Sequence, residues 1–186
     1  MSGRNWSLLC VALLSACVTH PFDENSRFSA IPTGSGLVLN QTIEIAPDQV
    51  AVYMQDGKLM AHAAMNHYRL HCKFEIYTMA DVSRQVEPDI FTVIRVVDES
   101  DLVSLQLLPT ASLTMVMGDA GPGIVTDTTV IYLKSEKQPD VYRMSCMQWN
   151  DVSQQRYPSI NEMRKAMGKI FSLKIANPPA SKNPDR

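Results

Sequence analysis

The residue pattern points to a mainly β domain, an antiparallel β-sandwich or open barrel with one C-terminal amphipathic helix. Three observations carry this expectation. Apolar and polar residues alternate with a period of two through much of the chain between residues 37 and 148. No helical pattern separates these segments, as parallel βαβ units would require. The period changes to that of a helix only once, after Pro158.

Taken in order, Leu37 to Leu39, Thr42 to Ile45 and Gln49 to Met54 are short runs rich in β-branched and aromatic residues, punctuated by Pro47 and Asp56-Gly57. Tyr68, Leu70, Cys72, Phe74 and Ile76 then alternate with Arg69, His71, Lys73, Glu75 and Tyr77, which assigns the first group to the core. Asp89 to Val97 is apolar on both faces and reads as a central strand. Leu102 to Leu108, Ser112 to Met117 and Thr128 to Lys134 are weaker strand candidates. Asp140 to Gln148 sets Tyr142, Met144 and Cys146 on one face, and Gln138-Pro139-Asp140 supplies the turn before it. Ser159-Ile-Asn-Glu162 matches a capping box, and Ile160, Met163, Met167, Ile170 and Phe171 follow at helical spacing.

Charge and composition restrict the function. Lys+Arg total 17 against Asp+Glu 19, a net charge of −2, so there is no basic stripe for nucleic acid. Hydrophobic residues make up 45%, an ordinary globular share, and no apolar run reaches the roughly 18 residues of a membrane-spanning helix.

The first residues carry a different message. Arg4 near the amino terminus, the apolar stretch Trp6 to Leu14 and small residues after it form a secretory signal peptide. Leu14-Ser15-Ala16-Cys17 resembles the bacterial lipobox. That resemblance implies cleavage after residue 16 and acylation of Cys17, with the several chains of a bacterial lipoprotein giving durable attachment to a membrane. Val18 stands where an Asp would retain the protein in the inner membrane, so the expected location is the outer membrane, facing the periplasm. The expected organisation is a leader over 1–16, a lipidated N-terminus and tether over 17–32, a β-rich domain over 33–175 and a Pro-rich tail over 176–186.

Four cysteines are present. With Cys10 removed with the leader and Cys17 acylated, Cys72 and Cys146 remain for one disulfide in an oxidising compartment. No Cys-x-x-Cys pair occurs, and His71, on a strand beside Cys72, points to the opposite face.

Candidate chemistry is sparse. Met60, His62, Met65 and His67 interleave thioether and imidazole groups, a donor set suited to copper. Asp98, Glu99 and Asp101 read as a solvated turn without EF-hand spacing. Gly118 to Gly123 reads as a mobile loop, since neither a helix pattern nor a Lys follows to make a phosphate cradle. Arg164, Lys165 and Lys169 form a basic helix side, and Trp149 is placed at the rim of the core. Neither a Gly-x-Ser-x-Gly elbow nor a His-Glu-x-x-His motif occurs.

The lipobox, Tyr68-Arg-Leu-His-Cys72-Lys-Phe-Glu75, Glu87-Pro-Asp-Ile-Phe91 and Cys146-Met-Gln-Trp149 together resemble a family of uncharacterised proteobacterial outer-membrane lipoproteins. The resemblance implies a location and a disulfide-bearing β fold, and transfers no catalytic residue and no cofactor. The leading expectation is a non-catalytic module that binds or scaffolds another envelope protein or envelope component. Two alternatives stand beside it: periplasmic copper binding through segment 60–67, and an enzyme whose site is not contiguous in sequence.

Overall fold

The computed structural model describes residues 22–103 and 123–176. The expected leader, Cys17, the strand candidate at Ser112 to Met117, most of the one at Leu102 to Leu108, nearly all of the glycine-rich loop and the tail beyond residue 176 lie outside the described residues.

Among the described residues, ten strands and one α-helix make up the domain. Eight strands form one antiparallel sheet in the order β10-β1-β7-β8-β9-β5-β3-β4. They are β1 (Gly36–Leu39), β3 (Ala51–Gln55), β4 (Lys58–Met60), β5 (His71–Ile76), β7 (Ile90–Leu102), β8 (Ile124–Lys134), β9 (Val141–Asp151) and β10 (Phe171–Lys174). Between the sandwich and the open barrel, the fold is the second: the sheet curls into a half-barrel. A two-stranded ribbon of β2 (Ile43–Ile45) and β6 (Arg84–Val86) packs beside it.

Helix α1 (Ile160–Met167) lies in the hollow. Its start follows the sequence reading: the Ser159 Oγ accepts from the Glu162 N–H, and the Ser159 N–H donates to Glu162 Oε2 at 2.9 Å. Ile160, Met163, Ala166 and Met167 face inward. They meet Leu37, Leu39, Met54, Phe74, Phe91, Ile131, Met144 and Phe171, none more than 1% exposed. Burying side chains of this size contributes about 1.5–3 kcal/mol each relative to leaving them exposed. The Phe74 ring stands 5.1 Å from Phe171 and 5.7 Å from Phe91, which ties β5, β7 and β10 into one core.

The disulfide joins Cys72 and Cys146, a registered pair across β5 and β9 with Cα atoms 4.0 Å apart. Both cysteines are fully buried.

Several local expectations are corrected. The helix stops at Met167 rather than continuing through Phe171, because Gly168 turns the chain at φ 59°. Ile170 is nonetheless buried, and Phe171 opens β10, which pairs with β1. β7 is central in its pairing, lying between β1 and β8, but one-sided in its burial. Ile90 and Ile94 are exposed, since among the described residues no element covers that face there. Tyr142 leaves the core face because Glu75 pairs with Arg143 while Ile76 pairs with Val141, leaving Tyr142 as an extra residue. A similar shift at Ile94 lets Val93 and Val96 share the inner face. Tyr68 lies before β5 and is exposed, whereas His71 and Glu75, expected outside, are buried. Glu75 is accommodated by two cations, Lys73 at 2.8 Å and Arg143 at 2.6 Å. Burial raises its pKa, but the hydrogen bonds and charges of Arg143 and Lys73 outweigh that and hold it below the usual carboxylate value.

The segment assigned as tether is seated on the domain from residue 22 onward. Arg164 grips Glu24 through both guanidinium nitrogens, the Asn161 side chain donates to Asn25 Oδ1 at 2.9 Å, and Ile31 is buried.

Candidate functional site

Where α1 ends its coverage, the inner face of the sheet turns from apolar to polar. Along β7 the inward residues after Val93 are Val96, Asp98 and Ser100, and along β8 they are Ile131, Thr129 and Asp127. The register places Asp98 opposite Thr129 and Ser100 opposite Asp127. The expected solvated turn at 98–101 is therefore the second half of a 13-residue strand. Its strand pairing with β8 overrides the local polarity of Asp-Glu-Ser-Asp.

Asp127 has no accessible surface, yet its carboxylate is well bonded. Ser100 Oγ donates to Oδ1 at 2.7 Å, while Asn150 Nδ2 and the Arg156 backbone N–H donate to Oδ2 at 2.6 and 3.0 Å. Gln148 Nε2 donates to Asn150 Oδ1, and Gln155 Nε2 to Ser100 Oγ. This network fixes the segment 155–158 over the sheet. Asp98 accepts one hydrogen bond, from Thr129 Oγ1 at 2.6 Å, and its carboxylate is otherwise open to solvent.

Between that segment and the strap formed by residues 27–31 lies a cavity of about 510 Å³, open on one side. Its floor is Val96, Asp98 and Thr129, and its base is Met163 of α1. Phe28 and Ile31 belong to one wall, Arg156, Tyr157 and Pro158 to the other. The volume falls within the roughly 300–1,000 Å³ of small-molecule sites. Electrostatics differ between its walls. Burial first, then the charges of Asp98 and Asp127, raise the Tyr157 phenol above its usual value, so it stays a neutral donor. The Arg156 guanidinium is turned to Glu162, 2.9 Å away, and Arg27 sits over the Phe28 ring with 5.0 Å between Cζ and the centroid.

The Met/His segment lies on the other side of the sheet. Met60 ends β4 opposite Tyr53, His62 begins a 3-10 turn over His62–Ala64, Met65 is buried beneath the loop, and His67 is half-buried. The loop is pinned by Gln55, whose Nε2 donates to the carbonyls of Asn66 and Arg69 and whose Oε1 accepts from the Asn66 N–H. The His62 and His67 rings are 5.5 Å apart, and the fold adds His71, 5.3 Å from His67. Trp149 stacks on His67 at 4.8 Å, so it serves this outer-face loop rather than the core rim. Burial, and then the charges of His67 and His62, lower the pKa of His71 despite its contact with the Arg69 carbonyl. Among the described residues no group of three or more His, Cys, Asp or Glu is arranged to hold a metal ion.

Of the remaining sequence candidates, Cys72 and Cys146 are joined to each other, and Arg164 is engaged by Glu24, which leaves Lys165 and Lys169 as the exposed basic residues of that helix side. Cys17 lies outside the described residues. The cavity itself was not anticipated. Its signal in the sequence is a pair of polar i, i+2 repeats, Asp98 with Ser100 and Asp127 with Thr129, each in a four-residue polar stretch that adjoins an apolar run of the same strand. Among the described residues no helix is long and apolar enough to cross a membrane. No protein-family model, curated protein or solved structure matches this chain.

Proposed function

We propose that the protein is a lipid-anchored, periplasm-facing module of the outer membrane that acts without catalysis, by holding an envelope component in the open half of its half-barrel. The observation that carries this reading is the 510 Å³ cavity, whose lining combines apolar side chains with hydrogen-bonding groups already oriented by the Asp127 network. A preformed site of this kind suits binding because little ordering entropy remains to be lost. The strap 27–31 supports the link to the anchor. Four residues, Val18 to Pro21, separate Cys17 from Phe22, a reach of at most about 18 Å for the extended chain, so the acylated cysteine would hold the start of the segment that leads into this wall close to the lipid surface.

The test uses full-length protein in cells, with the photoreactive residue p-benzoylphenylalanine in place of exposed Phe28. Cross-linking to one envelope component is expected, with loss of the product in Val96→Trp, which fills the cavity. Absence of a discrete product, or a product indifferent to Val96→Trp, would overturn the binding reading. Labelled fatty acid is expected to enter the wild type and not Cys17→Ala; equal labelling would overturn the anchor alone.

A further inference from the structure

The cavity has two chemically distinct ends, and the pleat of β7 sets their spacing. Val96 and Asp98 are two residues apart on one face, so about 7 Å separates them. In the lining, Val96 packs against the core cluster that contains Ile31 and Met163, whereas Asp98 faces its register partner Thr129 and acts electrostatically on Tyr157. Resting on the reading of this cavity as the binding site, we infer that its ligand is an amphiphile with an aliphatic body and a cationic, hydrogen-bond-donating head, an alkylammonium group, received by Asp98.

The argument is one of matching donors and charges. An ionised carboxylate only accepts hydrogen bonds. Thr129 supplies one donor, at 2.6 Å, which leaves most of the acceptor capacity of Asp98 for a ligand. Beneath it Asp127 is a second negative charge, and its three donors, Ser100, Asn150 and the Arg156 N–H, are all neutral. Two carboxylates below one wall make that end favourable to an ammonium and unfavourable to a carboxylate or phosphate. Two guanidinium groups also line the cavity, but neither pairs with Asp98: that of Arg156 is matched by Glu162, and that of Arg27 sits over the Phe28 ring. Tyr157 adds a neutral hydroxyl able to accept a further N–H. The side chains of Val96, Ile31, Pro158 and Met163 carry no hydrogen-bonding donor, so the part of the ligand against them is hydrocarbon.

The experiment titrates full-length protein carrying ¹³C-methyl methionine with hexylammonium, hexanol and hexanoate, reading the Met163 methyl resonance. Hexylammonium is expected to bind at least tenfold more tightly than hexanoate. Asp98→Asn is expected to abolish that preference while hexanol binding persists, and Asp98→Glu to retain it. Equal or tighter binding of hexanoate, or a preference that survives Asp98→Asn, would overturn the head-group assignment and leave the cavity as a binding site. No Met163 response to any of the three probes would overturn both.

Discussion

Asp127 shows how much one residue can organise. A carboxylate with no accessible surface is costly unless donors surround it, and here three do. Asp127→Ala strands the Ser100 hydroxyl, the Asn150 amide and the Arg156 N–H together. A loss of about 2–4 kcal/mol is expected in urea unfolding, with Asp127→Asn losing less because one acceptor remains. Equal stability of both variants and wild type would contradict the network. His71 makes a pH-dependent contribution. Its pKa in the fold lies below the ordinary 6.5, so beneath that value the unfolded chain binds more protons than the folded one and stability falls as pH drops from 7 toward 5. His71→Gln is expected to flatten that slope, measured by urea midpoints at the two pH values. The lowered carboxylates Glu24, Glu75 and Glu162 act in a separate window, below about 4.5, where the stability they give above it is lost as they protonate.

Element boundaries depend on contacts as well as on local preference. The start of α1 was readable because a capping box is a three-residue relation between side chain and backbone. Its end was not, because Gly168 is needed for a distant neighbour. A Cβ there would sit 2.3 Å from Gly57 Cα, in the turn between β3 and β4, and Gly57 N donates to Ala166 O at 3.0 Å. Gly168→Ala is therefore expected to destabilise by about 3 kcal/mol or more, combining a backbone conformation at φ 59° that side chains rarely adopt with a clash. Gly34→Ala, also at positive φ but facing open space, is the control and is expected to cost about 1 kcal/mol. Comparable melting temperatures for the two variants would show that the Gly57–Gly168 approach is unimportant. The two strand irregularities, at Ile94 and Tyr142, were equally invisible locally: each exists only as a mismatch with a partner strand.

For the whole molecule the disulfide is the strongest single constraint. It closes a loop of 74 residues, for which chain entropy gives about 4.5 kcal/mol before any compensating loss. Reduction is expected to lower stability by about 3–4 kcal/mol, a large share of the 5–15 kcal/mol of an ordinary domain. An unchanged urea midpoint after reduction would show that strand pairing alone holds β5 to β9. The pair was legible from counting cysteines, since the expected assignment of Cys10 to a leader and Cys17 to a lipid leaves two for one bond. The mainly β architecture was legible from the period of two, since burial on one side of a pleated strand imposes that period whichever strand lies alongside.

The candidate site was not legible in the same way. Asp98 and Asp127 are 29 positions apart, and nothing in either neighbourhood marks them as partners until β7 and β8 pair in register. His71 joins the Met/His segment for a related reason: alternation along the strand places it on the outer face, but the loop that folds back over that face is fixed by Gln55, a contact between elements. Alternation, capping and cysteine number are properties of neighbours along the chain, so the amino acids alone specified strands, helix start and disulfide. The choice of half-barrel over sandwich, the seating of residues 22–31 and the cavity they wall arise from pairings between remote segments, whose free energy exists only once the sheet has closed around its helix.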